Sequence, residues 1–236
     1  MTKIIDTVEE VRDYVQEDYW VTGQSNEKSG YENFYINWVW NDRLLNALEQ
    51  ATSFQGKKII DLGCAYGQVV ASMVKRNYDA YGIDLSDFGI AEGHKEYPPL
   101  KSRTIQGSIH ELSSYVNESF DFLYSQQVFE HIPCTVCDQL ATETFRIAKP
   151  GATLWSGLVL DVLGVFQPQG FNPNDQDLTH INLRPKDWWD EKFEKAGWTI
   201  DMEFDNRFRN HKISDNISQN YSFFEEYGWH SLCYKK

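Results

Sequence analysis

Two carboxylates at the ends of apolar runs frame the segment whose residue types are best suited to hold a ligand. Asp61 stands near the end of Lys58-Ile-Ile-Asp-Leu62 and is followed by the turn Gly63-Cys64-Ala65-Tyr66-Gly67. Asp84 follows Ala80-Tyr-Gly-Ile83 roughly 20 residues further on. Glycines lack the Cβ that keeps backbone away from a ligand, and a helix starting after the turn offers unpaired N–H groups. A carboxylate at the second strand end is placed to accept from a ribose diol lying over that turn. Asp61 shares the crevice, where it accepts from an ammonium group or, alternatively, caps the next helix. A dinucleotide fingerprint needs glycines at 63, 65 and 68, but Ala65 and Gln68 stand at the last two positions, and no Gly-Lys-Ser/Thr follows as a P-loop requires. The pattern favours an adenosine ligand without a diphosphate.

A second group of residues could move protons. His180, in Asp177-Leu-Thr-His-Ile-Asn182, falls in a loop between a strand and a helix that can overhang the crevice, so it is the preferred general base. Asp161 ends an apolar strand, and with Asp177 and His180 it offers oxygen and imidazole ligands for a divalent ion. That set lacks tight spacing, so a divalent metal stays open and none is predicted. Cys134-Thr-Val-Cys137 has zinc or redox spacing without a second pair, and reads as two thiols at a helix start.

These residues need a scaffold of alternating strands and helices. Thr7-Val-Glu-Glu10 is a capping box, opening a helix over about Thr7 to Asp18, and Trp38, Leu44, Leu45 and Leu48 fit a longer second helix. From Lys57 onward the pattern is strand (58–62), helix (68–75), strand (80–83), then strand-like runs at 104–105 and 120–124, a helix near 134–148 and a strand at 152–160. Pro185 opens a helix carrying Trp189, Phe193 and Ala196 and stopping at Gly197. Residues 198–204 alternate as a strand, the tail 227–234 pairs with them, and 206–225 form a polar excursion. Alternation of this kind implies a mostly parallel sheet. An aromatic-rich cap over residues 1–55 precedes a core over residues 56–236.

Thirty-five Asp and Glu against 22 Lys and Arg leave a net charge of −13, which disfavours nucleic acid, whose affinity comes largely from basic side chains on phosphates. The apolar stretch 152–160 is far shorter than a membrane span, and Asp6 interrupts the amino terminus before any leader-length apolar run, so a cytoplasmic protein is expected.

Asp61-Leu-Gly-Cys-Ala-Tyr-Gly67, Gly82-Ile-Asp-Leu-Ser86, Phe120-Asp-Phe-Leu-Tyr-Ser-Gln-Gln-Val-Phe-Glu-His-Ile-Pro133 and Lys149-Pro-Gly-Ala152, in that order, resemble the motifs of the class I S-adenosylmethionine-dependent methyltransferases over about residues 57–205. The resemblance implies a Rossmann-like, mostly parallel seven-stranded sheet with helices on both faces and an N-terminal helical cap. It implies S-adenosyl-L-methionine as cofactor and S-adenosyl-L-homocysteine as product. The implied cofactor residues are Asp61, Gly63, Cys64, Ala65, Gly67, Asp84 and Leu85, with Ser125 and Gln126 near the methionine end. Ser108 takes the place of an acid commonly set against the adenine, and Ile109 packs on the ring. His131 falls near the reaction centre of the family and is a second base. Residues 177–189 resemble, more loosely, the acceptor loop of glycan-modifying methyltransferases, which implies O-methylation of a sugar hydroxyl on a glycan or nucleotide sugar. Trp20, Tyr31, Tyr35, Asp177 and Trp188 are then the acceptor-binding residues. A small metabolite or protein acceptor, and a cofactor-binding module without catalysis, are the alternatives.

Overall fold

The computed structural model describes residues 5–22, 34–161, 179–209 and 229–236; Tyr31, Asp177 and most of the 206–225 excursion lie outside them. β1 (Lys58–Leu62) is central, between β2 (Asp79–Asp84) and β4 (Phe120–Gln126). β3 (Thr104–Gln106) flanks β2, β5 (Ala148–Val159) flanks β4, and these five strands are parallel. β7 (Trp229–Lys235) runs antiparallel to β5, and β6 (Thr199–Ile200) runs antiparallel to β7, giving the order β3-β2-β1-β4-β5-β7-β6.

The apolar runs follow from burial on both faces. Ile59, Phe122 and Tyr124 face one cluster with Leu45, Leu48 and Phe204, while Ile60, Leu62 and Leu123 face another with Leu140, Ile147 and Trp189. Pairing of Asp61 with Gly82 and with Tyr124 aligns the carboxyl ends of β1, β2 and β4. Strand order reverses at β1, the place where open sheets of this kind take ligands.

Helices α3 (Trp38–Ala51) and α4 (Gln68–Lys75) pack together, as do α6 (Cys137–Ile147) and α7 (Lys186–Ala196). α5 (Asp87–Glu96) follows β2, capped by Ser86, whose Oγ accepts from Gly89 N at 3.0 Å.

Two elements differ from the sequence expectation. The single first helix is two, α1 (Val8–Tyr14) and α2 (Glu17–Val21). Its start is as expected, with Glu10 N donating to Thr7 Oγ1 and Asp6 N donating to Glu10 Oε2, both at 3.2 Å. The break follows because the Val15 carbonyl, which a continuing helix would bond to its own backbone, accepts from the Trp20 indole at 3.1 Å. The expected strand 198–204 is only the two residues of β6, after which α8 (Met202–Arg209) begins. Asp201 Oδ1 accepts from Phe204 N at 2.9 Å as a cap, and Phe204 and Phe208, one turn apart, reach Phe122 and Trp155.

Candidate active site

The turn between β1 and α4 is pinned to β2 by its own backbone. Gly63 N and Cys64 N both donate to Ile83 O, at 2.8 and 3.1 Å, and Ala65 N donates to Asp84 Oδ2 at 2.7 Å. Gly63, Ala65 and Gly67 all have positive φ, of 83°, 50° and 74°. Ala65 is strained there, and its bond to Asp84 holds it. A Cβ on Gly63 would lie 2.4 Å from a Val128 methyl, so this glycine admits the loop after β4.

Beside the turn lies a cavity of about 280 Å³, with Asp61, Gly63, Cys64, Ala65, Asp84, Leu85, Ser108, Ile109 and Gln126 on its wall. Asp61 is 3% exposed, and among the described residues its carboxylate takes no hydrogen bond. Burial, reinforced by Asp84, holds the Asp61 carboxyl well above the usual carboxylate range. Burial also raises Asp84, opposed by the N–H groups of Ser86 and Ala65. Two buried acids on one cavity wall suit a ligand that carries positive charge. Burial pushes the Cys64 thiol up as well, which leaves it unreactive.

Across the cavity the chain after β4 supplies Gln126, Gln127, Val128 and His131. Gln126 Oε1 accepts from the Tyr124 hydroxyl, and the backbone turns sharply at Gln127, φ 54°, whose N–H donates to Gly157 O at 2.7 Å. His131 Nδ1 lies 2.7 Å from Thr179 Oγ1, and its ring centroid is 4.8 Å from that of His180. Glu130 is fully buried beside them, and Glu130, His131 and His180 bring ligand atoms within 4.8 Å of one another. Among the described residues these three side chains have the spacing to hold a divalent ion, whereas the set considered from the sequence, Asp161, Asp177 and His180, includes Asp177, which lies outside them.

Several expected site residues stand elsewhere. Ser125 is fully buried and donates to Leu62 O at 2.9 Å, because its position on β4 points into the sheet layer. Gly67 forms the left-handed turn capping α4, with Leu100 over it, rather than cavity wall. Asp161 is buried behind β5, its N–H donating to Arg184 O at 3.1 Å, and does not line the cavity. Tyr35 is 60% exposed and turned to solvent. Trp188 packs edge-on against Trp189 beneath the Arg184 and Lys192 cations, away from the cavity. His180 is also absent from the wall, which His131 occupies. Trp20 does line it, but its indole N–H serves Val15 O and Ser86 Oγ.

The sequence reading missed Tyr124, His110 and the cap residues Val8, Val11 and Val15. The valines were legible, since offsets of three and four put them on one helix face. His110 carried no signal beyond standing two residues after Ser108.

With this geometry the comparisons with known proteins fall into place. Residues 60–156 match the family described as a methyltransferase domain. A ubiquinone biosynthesis O-methyltransferase of Methylococcus capsulatus is 31% identical over 117 residues, which cover 49% of this chain and 48% of that protein. The match thus spans about half of this curated relative. A solved S-adenosylmethionine-dependent methyltransferase of Archaeoglobus fulgidus superposes with a TM-score of 0.57 at 16% identity, covering 84% of this chain and 93% of that one. The cyclase SpnF superposes at 0.55 and 21% identity, covering 83% and 81%. Residues 60–156 thus resemble a methyltransferase domain, and the sheet order and the superpositions are those of the Rossmann-like fold of such enzymes. No helix among the described residues is long and apolar enough to cross a membrane.

Proposed function

We propose that the protein transfers a methyl group from S-adenosylmethionine to a hydroxyl of a small acceptor with an apolar body, with His131 as general base. The observation that carries this reading is one cavity whose wall includes the Gly63 turn, Asp61, Asp84 and His131 together. Bound cofactor supplies an already activated sulfonium methyl, so the protein's task is alignment and removal of the acceptor proton. His131 Nδ1 lies 2.7 Å from Thr179 Oγ1, a bond that orients the ring; in the tautomer with the proton on Nδ1, Nε2 takes up the acceptor proton. The resulting imidazolium lies beside the buried Glu130 carboxyl.

The apolar acceptor rests on the cap, whose Val8, Val11, Val15 and Phe34 wall the cavity opposite the polar strand ends. Relatives named as O-methyltransferases support oxygen as the atom methylated. The sugar hydroxyl expected from the sequence has less support, because Tyr35 and Trp188 lie away from the cavity and Tyr31 and Asp177 fall outside the described residues. Fold likeness to a cyclase keeps a non-methylating reading as the second outcome.

The test follows methyl transfer from radiolabelled cofactor to a panel of phenols and of nucleotide sugars. Phenol methylation by the native protein, lowered roughly 10²–10⁴-fold in His131→Ala with cofactor affinity kept, is the expected result. Methylation of sugars alone overturns the acceptor, unchanged turnover removes His131, and cofactor binding without transfer to any acceptor removes the activity.

A further inference from the structure

We infer that His110 is a positioning residue that fixes the Ser108 hydroxyl as a hydrogen-bond acceptor, so that the cavity selects a purine carrying a 6-amino group over one carrying a 6-oxo group. The inference rests on the cofactor reading above and concerns the end of the cavity that Ser108 and Ile109 line.

Ser108 stands where an acid is expected, and a lone hydroxyl selects poorly because it rotates to donate or accept as its partner demands. Here it is not alone. Ser108 Oγ lies 2.5 Å from His110 Nδ1, and His110 is 7% exposed, so the pair is held against the cavity wall. The direction of that bond depends on which ring nitrogen carries the proton. Nε2, the other nitrogen, lies 3.9 Å from the Glu111 carboxylate, and Glu9 adds a second negative charge from the cap helix α1. A proton on Nε2 is attracted by the Glu111 carboxylate, which leaves Nδ1 bare and makes it the acceptor of the serine proton. Burial also disfavours the doubly protonated ring.

With its one hydrogen committed to His110, Ser108 Oγ presents only lone pairs to the cavity. An adenine amino group donates to them. A hypoxanthine carbonyl meets lone pair against lone pair, and its site is left unsatisfied. A fixed acceptor of this kind does the work of the carboxylate without adding a third negative charge to a cavity that already holds Asp61 and Asp84.

Calorimetric titration with S-adenosylhomocysteine and its 6-oxo analogue S-inosylhomocysteine tests this without any turnover. The native protein should prefer the amino compound by roughly tenfold or more, the size of one net hydrogen bond with its penalty. In His110→Ala the serine is free to rotate and donate, so the preference should collapse towards unity, chiefly through tighter binding of the 6-oxo compound. Asn at this position can set its Oδ1 where Nδ1 was, so His110→Asn should restore the preference, an outcome that a merely structural role would not give. Ser108→Ala should lose the preference with or without His110. An undiminished preference in soluble, folded His110→Ala overturns the inference, as does its loss in both His110 variants together with equal weakening of both ligands. If His110→Ala does not fold, the His110→Asn and Ser108→Ala pair decides alone. Failure of the native protein to bind either compound would overturn the cofactor reading instead.

Discussion

Asp61 shows how a residue can be legible as to place and not as to state. Its position at the end of β1 and next to a glycine turn was readable, and so was its choice between ligand contact and helix capping. The structure gives the capping position of α4 to Gly67. What the sequence could not carry was the burial of Asp61, which together with the charge of Asp84 raises its carboxyl. The sign of the pH effect follows. A carboxyl raised in the folded protein binds its proton more tightly there than in the unfolded chain, so the ligand-free protein gains stability from it as pH falls towards the raised value. A cationic ligand reverses the shift and expels the proton, so affinity for S-adenosylmethionine should fall over the same interval, above the usual carboxylate range. Asp61→Asn should therefore raise the melting temperature at pH 8, weaken cofactor binding there, and flatten the pH dependence. Calorimetry in two buffers of different ionisation enthalpy reads the expelled proton directly, and equal heats in both, at every pH, would sink the idea.

At the scale of elements, the parallel strands were legible because burial on both faces writes itself as continuous apolar runs such as Lys58-Ile-Ile-Asp-Leu62 and Phe120-Asp-Phe-Leu-Tyr124. The boundaries that failed were set by single local side-chain bonds to backbone: the Trp20 indole on Val15 O ended α1, and the Asp201 carboxylate opened α8 where alternation suggested a strand. Helix α5 holds a further such feature. Gly93 looks like an ordinary helix-weakening glycine, yet a Cβ there would stand 2.0 Å from Tyr66 O, so the helix lies directly on the cofactor turn. Alanine would gain about 1 kcal/mol of helix propensity and lose about 1–3 kcal/mol or more to the clash with backbone that cannot move aside. Gly93→Ala should lower the melting temperature by a few degrees, roughly 2–4 °C per kcal/mol for a chain of this size, and weaken cofactor binding with it. A thermal melt showing equal or higher stability would mean that α5 can slide off the turn at no cost.

For the whole molecule, composition excluded more than it located. A net charge of −13 argued against nucleic acid, but nothing in it told where the cap would sit. The structure lays α1 and α2 along the cavity wall, and their attachment is specific. Trp20 Nε1 donates to Ser86 Oγ at 3.2 Å, Ser86 N donates to Asp84 Oδ1 at 2.8 Å, and Ile36 N donates to Glu96 Oε1 at 2.8 Å. Cap and carboxylate are thus joined through one serine, while Trp20, Phe34 and Tyr66 pack their rings together alongside. The indole N–H of Trp20 is no part of the core's own helix and sheet bonding, so removing it should loosen the cap and leave the fold intact. Trp20→Phe keeps most of the ring packing and removes the one indole N–H shared between Ser86 Oγ and Val15 O, about 0.5–1.5 kcal/mol in all. Stopped-flow displacement should show S-adenosylhomocysteine leaving the variant several-fold to tenfold faster, with little change in melting temperature of the ligand-free protein. An unchanged dissociation rate would mean that the ligand passes without the cap moving, and the cap would then be a wall of the acceptor chamber rather than its door.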